Sequence, residues 1–337
     1  MGIFGVLAEY NCEWLTFMND PESGLTGLIC IHSTKRGPAF GGIRTLSYAT
    51  QDAAIEDALR LARAMSYKAA VADLPAGGGK TVIIKSDKMR RKQAFQQLGR
   101  HIHRMGGSYH TGLDVGTTRE DLLEINKLTQ HVAKDLDFGK ATARGVKAAI
   151  CAGLKHKYDD MNLEGRTVAV QGLGAVGAEL VTMLHAEGAN IIVSDIDERL
   201  AASVGEKMGC EVVSPSRLIA VECDILAPCA LGAIINATNV SSLRCGVIAG
   251  SANNQLATPA TGEALREAKI VYVPDYVANA GALIKGVKEY VAGEEVEFKV
   301  VDQIFATASN ILQRAASEGK ATNIVADEVA IEQLAKS

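Results

Sequence analysis

The chain has 337 residues, a formal net charge of −4 and 47% hydrophobic residues, a composition typical of a globular protein with two domains. Acidic and basic residues are interspersed along it. This argues against a nucleic-acid-binding protein, because such proteins cluster Lys and Arg on one face. No apolar run is long enough for a transmembrane helix, and the first residues lack the pattern of a signal peptide. We therefore expect a cytoplasmic protein that inserts into no membrane.

The seven cysteines are scattered and form no CxxC pair or Cys/His cluster with the spacing of a zinc site. An odd, scattered set is typical of reduced thiols in a reducing compartment. The sequence therefore predicts neither a disulfide framework nor a bound metal.

The first part of the chain predicts an α/β domain over residues 1–140. Apolar residues recur at helical spacing from position 51 to 68, which predicts an amphipathic helix with Thr50 as its N-cap. A buried strand is predicted at 81–84, and further helices at 93–105 and 121–129.

Strands and helices alternate in the second part, after a helix predicted from about 144 to 158. This alternation is typical of βαβ units with a parallel sheet. We predict a doubly wound, Rossmann-type domain over residues 141–310. The helices at about 310–337 are expected to pack back on the first domain. The strand-like segments lie at 167–171, 190–194, 211–213, 225–227, 247–249 and 270–273.

A GxGxxG stretch runs from Gly172 to Gly177, between the strand at 167–171 and a predicted helix. Gly172 allows a tight turn, Gly174 lets a pyrophosphate approach the backbone, and Gly177 lets the helix pack on the strand. The pyrophosphate would contact the free N–H groups at the helix N-terminus, where Ala175 and Val176 lie.

Asp195 ends the next strand at about the 20-residue spacing expected for a ribose-binding acid. A carboxylate there binds the ribose diol and repels a 2′-phosphate, so NAD is predicted as the cofactor. Two alternatives stay open. Arg199 lies nearby and would favour NADP, and a glycine turn that binds no nucleotide has the same local pattern.

Three consecutive glycines at 77–79 precede Lys80, and we expect this flexible backbone to touch a ligand. Pro75 stands where a P-loop needs its first glycine, which disfavours kinase-like phosphate binding. Lys80 stands at the mouth of a buried strand, where burial disfavours the charged amine and lowers its pKa toward that of a base.

Two further candidates are Lys68, which ends the long helix, and Asp114, which follows a strand-like segment rich in Gly and Thr. Spacing alone leaves both lysines compatible with solvated surface charges. It leaves Asp114 compatible with an ordinary turn or N-cap.

Eight blocks of the sequence can be compared with known families. They are GPAFGGIR at 37–44, the helix ending in Lys68, PAGGGK at 75–80, TGLDVGT at 111–117, VQGLGAVG at 170–177, APCALG at 227–232, AGSANNQ at 249–255 and PDYVANAG at 274–281. Together, and in this order, they resemble the amino-acid dehydrogenase family of glutamate, leucine, valine, phenylalanine and tryptophan dehydrogenases. The resemblance covers nearly the whole chain and is to the subgroup acting on hydrophobic amino acids. It implies an N-terminal substrate-binding and oligomerisation domain and an NAD-binding Rossmann domain.

The resemblance implies a role for each matching residue. Lys80 is implied as the general base, and Asp114 as the group that exchanges protons with the amine. Lys68 is implied to bind the substrate α-carboxylate, with help from Asn254 and the backbone at Gly41 and Gly42. The implied substrate pocket also includes Phe40, Met65 and Gly112. The implied cofactor contacts are Gly172, Gly174, Ala175, Val176, Gly177, Asp195, Thr142, Cys229, Ala230, Asn254 and Asn279.

The implied activity is the reversible, NAD-dependent oxidative deamination of a hydrophobic L-amino acid to a 2-oxo acid and ammonia. Gly112 stands where the leucine and valine enzymes tend to carry alanine, which leaves room for a larger side chain. Phe40 works against this by filling part of the same pocket. We predict Phe or Trp slightly ahead of Leu or Val as substrate. The family also implies a homo-oligomer, a dimer or a multiple of dimers, formed largely through the first domain.

One stretch departs from the family pattern. The Gly- and Pro-rich loop that the family has before Thr142 is several residues shorter here. This leaves open an NAD-binding homologue with lost or altered activity. A 2-hydroxy-acid dehydrogenase is a further alternative, but it needs a His–acid pair and a carboxylate-binding arginine, and the sequence shows no such His/Asp pairing.

Overall fold

A computed structural model describes residues 3–134, 137–230 and 232–336. The chain divides into two compact units. The first comprises Met1–Leu136, Leu283–Val296 and Ala330–Ser337, and the second Asp137–Ala282 and Glu297–Val329. Each unit contains a β-sheet with helices, so the predicted two-domain α/β fold is confirmed. Within the described ranges, no helix is both long and apolar enough to cross a membrane.

The first unit is built on a mixed five-stranded sheet. Its strands are β1 (Trp14–Asp20), β2 (Leu25–Ser33), β3 (Ala39–Leu46), β4 (Gly77–Ile84) and β5 (Tyr109–Leu113), and the helices of the same stretch of chain are α1 (Ile3–Tyr10), α2 (Gln51–Val71), α3 (Arg91–Arg104) and α4 (Arg119–Asn126). The strand order is β1-β2-β4-β3-β5. β2 runs antiparallel to β1 and β4, whereas β3 runs parallel to both β4 and β5. The carboxyl ends of β3, β4 and β5 therefore lie on the same side of the sheet.

Helices cover both faces of this sheet. The predicted amphipathic helix is α2, and Thr50 caps it by accepting a hydrogen bond from Ala53 N at 3.1 Å. Apolar residues of α2 pack with Leu28 and Val82 on one face. The apolar sides of α3 and α4 pack on the other face. Successive side chains of a strand point to opposite faces, so Ile29 of β2 lies on this face and its neighbour Leu28 on the first.

The glycine run before Lys80 is the start of strand β4 rather than a loop. A Cβ at Gly77 would lie 1.8 Å from the Ser33 carbonyl oxygen, and one at Gly78 would lie 2.1 Å from the Ser66 backbone nitrogen. The glycines are needed because neighbouring backbone packs closely on the strand. The strand therefore begins earlier than the predicted 81–84, and Lys80 lies in its middle rather than at its mouth.

The second unit contains six strands. They are β6 (Thr167–Gln171), β7 (Asn190–Ser194), β8 (Glu211–Val212), β9 (Ile225–Pro228), β10 (Val247–Ile248) and β11 (Val271–Tyr272). They form a wholly parallel sheet with the order β11-β10-β9-β6-β7-β8. The first three strands in the chain lie side by side, and the chain then crosses to the other side of β6 to form β9. This order matches the doubly wound Rossmann fold, whose ligand site lies where the strand order reverses.

The remaining α-helices follow in chain order. They are α5 (Phe138–Tyr158), α6 (Ala175–His185), α7 (Glu198–Met208), α8 (Pro215–Leu218), α9 (Thr261–Glu267), α10 (Asp275–Ala278), α11 (Gly281–Tyr290), α12 (Gln303–Glu318) and α13 (Thr322–Ala335).

Two of these helices differ from the sequence-based expectation. α5 begins at Phe138 rather than near 144, because Asp137 caps it by accepting a hydrogen bond from Lys140 N at 2.9 Å. α12 lies in the second unit rather than with the first. It packs on α5 at Gly145, where a Cβ would lie 2.7 Å from Cδ1 of Ile304. Of the segment 310–337, only Ala330–Ser337 belongs to the first unit.

Candidate active site

Strands β3, β4 and β5 bring three charged side chains together in the first unit. Lys80 lies on β4, and its side chain is only 6% exposed. Its Nζ is 2.9 Å from Oδ2 of Asp114, which directly follows β5. Arg44, on β3, donates a hydrogen bond from Nε to the same oxygen at 2.9 Å. The structure therefore places the predicted base beside the predicted proton-exchanging carboxylate.

Glycines on β3 allow this close approach. A Cβ at Gly42 would lie 2.8 Å from Cβ of Asp114 and 2.5 Å from the Leu113 carbonyl oxygen. A Cβ at Gly41 would lie 1.7 Å from the carbonyl oxygen of Gly79. Gly41 pairs with Thr111 and Gly42 with Gly112 of β5, and β3 itself lies between β4 and β5. Any larger residue would separate the strands that carry Lys80 and Asp114.

The electrostatic environment differs between the amine and the carboxylate. Burial lowers the pKa of Lys80, and Arg44 acts in the same direction, while Asp114 and Asp57 oppose them. Burial alone would raise the pKa of Asp114, but the positive charges of Lys80 and Arg44 keep that pKa below its usual value. The site therefore favours an ionised carboxylate next to an amine that loses its proton more readily than an exposed lysine.

Arg44 and Asp57 are the site residues that sequence reasoning missed. Arg44 Nη1 lies 3.1 Å from Oδ2 of Asp57 on α2, and Tyr48 donates a hydrogen bond to that oxygen at 2.8 Å. The side chains of Arg44 and Asp57 are 14% and 16% exposed. The available signal was a single arginine in the otherwise apolar, glycine-rich strand at 39–46.

The predicted substrate-binding residues lie around the same sheet. Met65 and Lys68 are half-buried near the end of α2. The close packing of α2 on Gly78 brings this end of the helix against the start of β4. Phe40 is buried in β3, and Gly112 lies in β5 opposite Gly42. Lys68 thus lies in the same unit as Lys80, at the end of a helix rather than inside a strand.

The GxGxxG turn of the second unit has the geometry expected of a dinucleotide cradle. Gly172 has φ +88°, and a Cβ at Gly177 would lie 1.9 Å from the Gly172 carbonyl oxygen. At Gly174, no atom of the described residues lies within 4 Å of where a Cβ would be. Ala175 and Val176 form the first turn of α6. Only Gly174 therefore faces open space, as close approach of a pyrophosphate requires.

Asp195 stabilises this turn. Leu173 N donates a hydrogen bond to Oδ2 of Asp195 at 2.7 Å, and Asp197 N donates to Oδ1 at 2.9 Å. Asp195 directly follows β7, so its carboxylate lies beside the glycine-rich turn at the carboxyl end of the sheet. This position suits a group that binds a ribose diol next to the pyrophosphate.

Other predicted cofactor contacts surround the turn. Cys229 N donates a hydrogen bond to the Gln171 carbonyl oxygen at 2.7 Å, and a Cβ at Gly172 would lie 2.7 Å from Cβ of Ala230. Thr142 lies in the early part of α5, which packs against α6. Leu231, in the same block as Cys229, lies outside the described residues.

Two asparagines complete the predicted set. Asn279 is 7% exposed and donates from Nδ2 to the Ser251 carbonyl oxygen at 3.1 Å and to Oδ1 of Asn253 at 2.9 Å. Its own Oδ1 is buried and accepts no hydrogen bond from the described residues. Such an acceptor suits a ligand that offers an N–H or O–H group. Asn254 is exposed and has φ +52°.

Comparison with known proteins gives consistent matches along the chain. Residues 13–131 match the family model described as Glu/Leu/Phe/Val dehydrogenase, dimerisation domain. Residues 136–209 and 193–337 match the Glutamate/Leucine/Phenylalanine/Valine dehydrogenase model.

Individual relatives cover nearly the full length. The chain is 44% identical to leucine dehydrogenase of Thermoactinomyces intermedius, over 99% of this chain and 94% of the relative. It is 36% identical to phenylalanine dehydrogenase of the same organism, with the same coverage of both chains. The crystal structure of L-tryptophan dehydrogenase from Nostoc punctiforme superposes with a TM-score of 0.86 at 37% identity, over 99% of both chains.

Substitutions at Gly174 and Gly177 should separate dinucleotide binding from folding. Gly174→Ala adds a methyl group to open space at an N-cap, and we expect the unfolding free energy to change by about 1 kcal/mol or less. The methyl group should weaken NADH binding about tenfold or more, corresponding to about 1.4 kcal/mol. Fluorescence titration with NADH and urea denaturation measure the two effects.

Gly177→Ala is the matched comparison, because its methyl group would meet backbone and should destabilise the fold by about 1–3 kcal/mol or more. Undiminished NADH binding by Gly174→Ala would contradict the assignment of this turn.

Proposed function

This chain belongs to the Glu/Leu/Phe/Val dehydrogenase family, and from that premise we propose that it catalyses the reversible, NAD-dependent oxidative deamination of a hydrophobic L-amino acid. The products are the 2-oxo acid and ammonia. It is thus an amino-acid dehydrogenase, an oxidoreductase. The observation that carries the proposal is the buried Lys80 amine 2.9 Å from Oδ2 of Asp114.

The residues of the first unit supply the acid–base chemistry. In the deamination direction, the bound nicotinamide supplies the acceptor for the hydride that leaves Cα, which converts the substrate to an imine. Neutral Lys80 takes a proton from the water that adds to the imine carbon. Asp114 takes a proton from the substrate nitrogen and returns it as ammonia leaves.

Lys68 has the opposite task, because it holds the α-carboxylate and must stay positively charged. It lies in the last turn of α2, where the helix dipole favours a cation. Lys80 lies inside a strand, where burial favours the neutral amine. The different environments of the two lysines support the division of roles between a binding cation and a base.

We propose NAD rather than NADP as the cofactor. The Asp195 carboxylate lies at the end of β7 and accepts a hydrogen bond from the glycine-rich turn. A negative charge there repels a 2′-phosphate and accepts hydrogen bonds from the ribose hydroxyls.

We propose a homo-oligomer, a dimer or a multiple of dimers, assembled through the first unit. The model that matches residues 13–131 is a dimerisation domain. β1 lies at an edge of the first sheet, and Trp14 and Phe17 on it are 44% and 58% exposed. An edge strand with exposed aromatic residues is typical of a surface that another chain covers.

We also propose the cytoplasm as the compartment, because all seven cysteines are free thiols.

For the substrate side chain, the sequence and the comparisons favour different groups. Gly112 favours an aromatic side chain, whereas the leucine dehydrogenase relative is 44% identical and the phenylalanine dehydrogenase relative 36% identical. We propose a branched aliphatic side chain ahead of an aromatic one, because pocket residues are shared more often with relatives of higher identity. One methylene changes the discrimination between substrates by only about 1–3 kcal/mol, so a few pocket residues decide the preference.

Turnover by the purified protein tests the activity. We expect NADH formation from NAD with hydrophobic L-amino acids, and NADH oxidation with the corresponding 2-oxo acids plus ammonia. Lys80→Ala should lower kcat by about 10²–10⁴-fold, because it removes the general base, and should leave NADH binding nearly unchanged. Lys85→Ala is the control, since Lys85 is an exposed lysine just after the same strand. Retained turnover in Lys80→Ala would contradict the mechanism.

The substrate preference is measured by comparing kcat/KM for L-Leu, L-Val, L-Phe and L-Trp under the same conditions. We expect L-Leu to exceed both aromatic substrates by about tenfold or more, the lower end of what side-chain size differences produce. A ratio in favour of L-Phe or L-Trp would overturn the preference and leave the reaction class intact.

The cofactor preference should depend on the charge of Asp195. Asp195→Asn keeps an acceptor for Leu173 N while removing the repulsion of a 2′-phosphate, so kcat/KM with NADP should rise relative to NAD. Asp195→Ala loses the hydrogen bond to the turn as well and should weaken the binding of both dinucleotides. If wild type prefers NADP, or if Asp195→Asn does not change the ratio, the NAD proposal is wrong.

A further inference from the structure

The carboxylate of Asp114 is held through one of its two oxygens. Arg44 Nε donates a hydrogen bond to Oδ2 at 2.9 Å, and the closest contact of Lys80 Nζ is with the same oxygen. Within the described part of the chain, no hydrogen bond reaches Oδ1. The two oxygens of Asp114 therefore have different surroundings, although they are chemically equivalent in a free carboxylate.

Arg44 is itself held in place from its other side. Its Nη1 contacts both oxygens of Asp57, at 3.4 Å and 3.1 Å. Tyr48 donates to Oδ2 of Asp57 at 2.8 Å, and Arg60 Nη2 donates to Oδ1 at 2.8 Å. The planar guanidinium thus bridges two carboxylates on different elements, an arrangement that a lysine amine reproduces only in part.

When Lys80 is protonated, the four charges of this cluster balance one another. Lys80 and Arg44 are then the cations, and Asp57 and Asp114 the anions, with side chains between 6% and 17% exposed. A buried charge without a partner is strongly destabilising, so part of the role of Arg44 is to keep the cluster neutral. Charge balance alone, however, does not require Arg44 to bind the same oxygen as Lys80.

We propose that Arg44 is a positioning residue: it holds Oδ2 of Asp114 so that Oδ1 is the oxygen that exchanges protons with the substrate nitrogen, and Asp57 holds Arg44 in that orientation. The inference rests on the proposed role of Asp114 in amino-acid deamination. It adds that the two oxygens of Asp114 have different roles, since Oδ2 is held by Arg44 and Oδ1 exchanges the proton.

The same arrangement sets the direction in which substitutions shift protonation. The charged groups that face Lys80 are Asp114 after β5, Arg44 on β3 and Asp57 on α2. Arg44 lowers the pKa of Lys80, so its removal should raise that pKa. Asp57 raises the pKa of Lys80, so its neutralisation should lower it. Removal of Arg44 should also raise the pKa of Asp114.

The test compares Arg44→Met, Arg44→Lys and Asp57→Asn in the full-length protein. Arg44→Met should lower kcat about 10–100-fold, with a much smaller change in KM for the amino acid, because a misplaced catalytic group affects the reaction more than binding. Arg44→Lys should recover part of kcat. Arg100→Met is the control and should change kcat little, because Arg100 is an exposed arginine on α3 whose Nη1 donates a hydrogen bond to Gln97.

The pH dependence of deamination distinguishes positioning from a merely structural role. The rise of kcat with pH that reports loss of the Lys80 proton should move to higher pH in Arg44→Met and to lower pH in Asp57→Asn. Unchanged midpoints, or shifts in the same direction, would overturn the proposal. If Arg44→Met does not fold, the Asp57→Asn shift and the partial activity of Arg44→Lys decide.

A measurement without turnover keeps this inference separate from the proposed reaction. The carboxyl resonance of Asp114 can be followed by carbon-13 NMR and assigned by its disappearance in Asp114→Asn. Its titration should give a higher pKa for Asp114 in Arg44→Met or Arg44→Lys than in wild type. Absence of turnover with every amino acid would refute the proposed function, and the NMR titration would still show whether Arg44 holds this carboxylate. An unchanged Asp114 pKa in both variants would refute the inference about Arg44.

Discussion

A lysine in the middle of a buried strand costs free energy unless a negative charge lies next to it, and Lys80 meets this condition through Asp114. The contact depends on the packing of three parallel strands. Gly42 has no Cβ to separate β3 from the end of β5, and so Asp114 reaches the amine. The acid–base chemistry proposed for this protein follows from that one buried ion pair, because its burial favours a neutral amine and its charges favour an ionised carboxylate.

In the second unit, the glycine-rich turn must leave backbone N–H groups accessible to a ligand. The strand order reverses between β6 and β9, and the glycine-rich turn leaves β6 at this point. Gly177 is needed for packing, whereas Gly174 faces open space. Within the GxGxxG motif, Gly177 is therefore required by the packing of the fold, whereas Gly174 leaves space for a ligand.

Two local features of the sequence, a glycine run and a short segment before a helix, are each compatible with more than one structure. The run at 77–79 predicts a backbone that touches a ligand. In the structure these residues begin β4, and a Cβ at Gly77 or Gly78 would meet atoms of Ser33 or Ser66, so packing within the protein also requires glycine there. The short segment before Thr142 suggests an altered loop, and the structure extends α5 to Phe138 there. In both cases the local sequence has several structural solutions, and packing against distant residues selects one.

Hydrophobic periodicity and glycine spacing are local properties, so the amino-acid sequence predicts the two α/β units, the long helix α2 and the dinucleotide-type turn. Lys80 and Asp114 are also predictable as candidates, mainly through resemblance to a family. The contact between these two side chains, and the addition of Arg44 and Asp57 to the cluster, emerge from the folded chain alone. Contacts between residues far apart in the chain depend on strand register and on where backbones approach closely, and no local pattern contains that information.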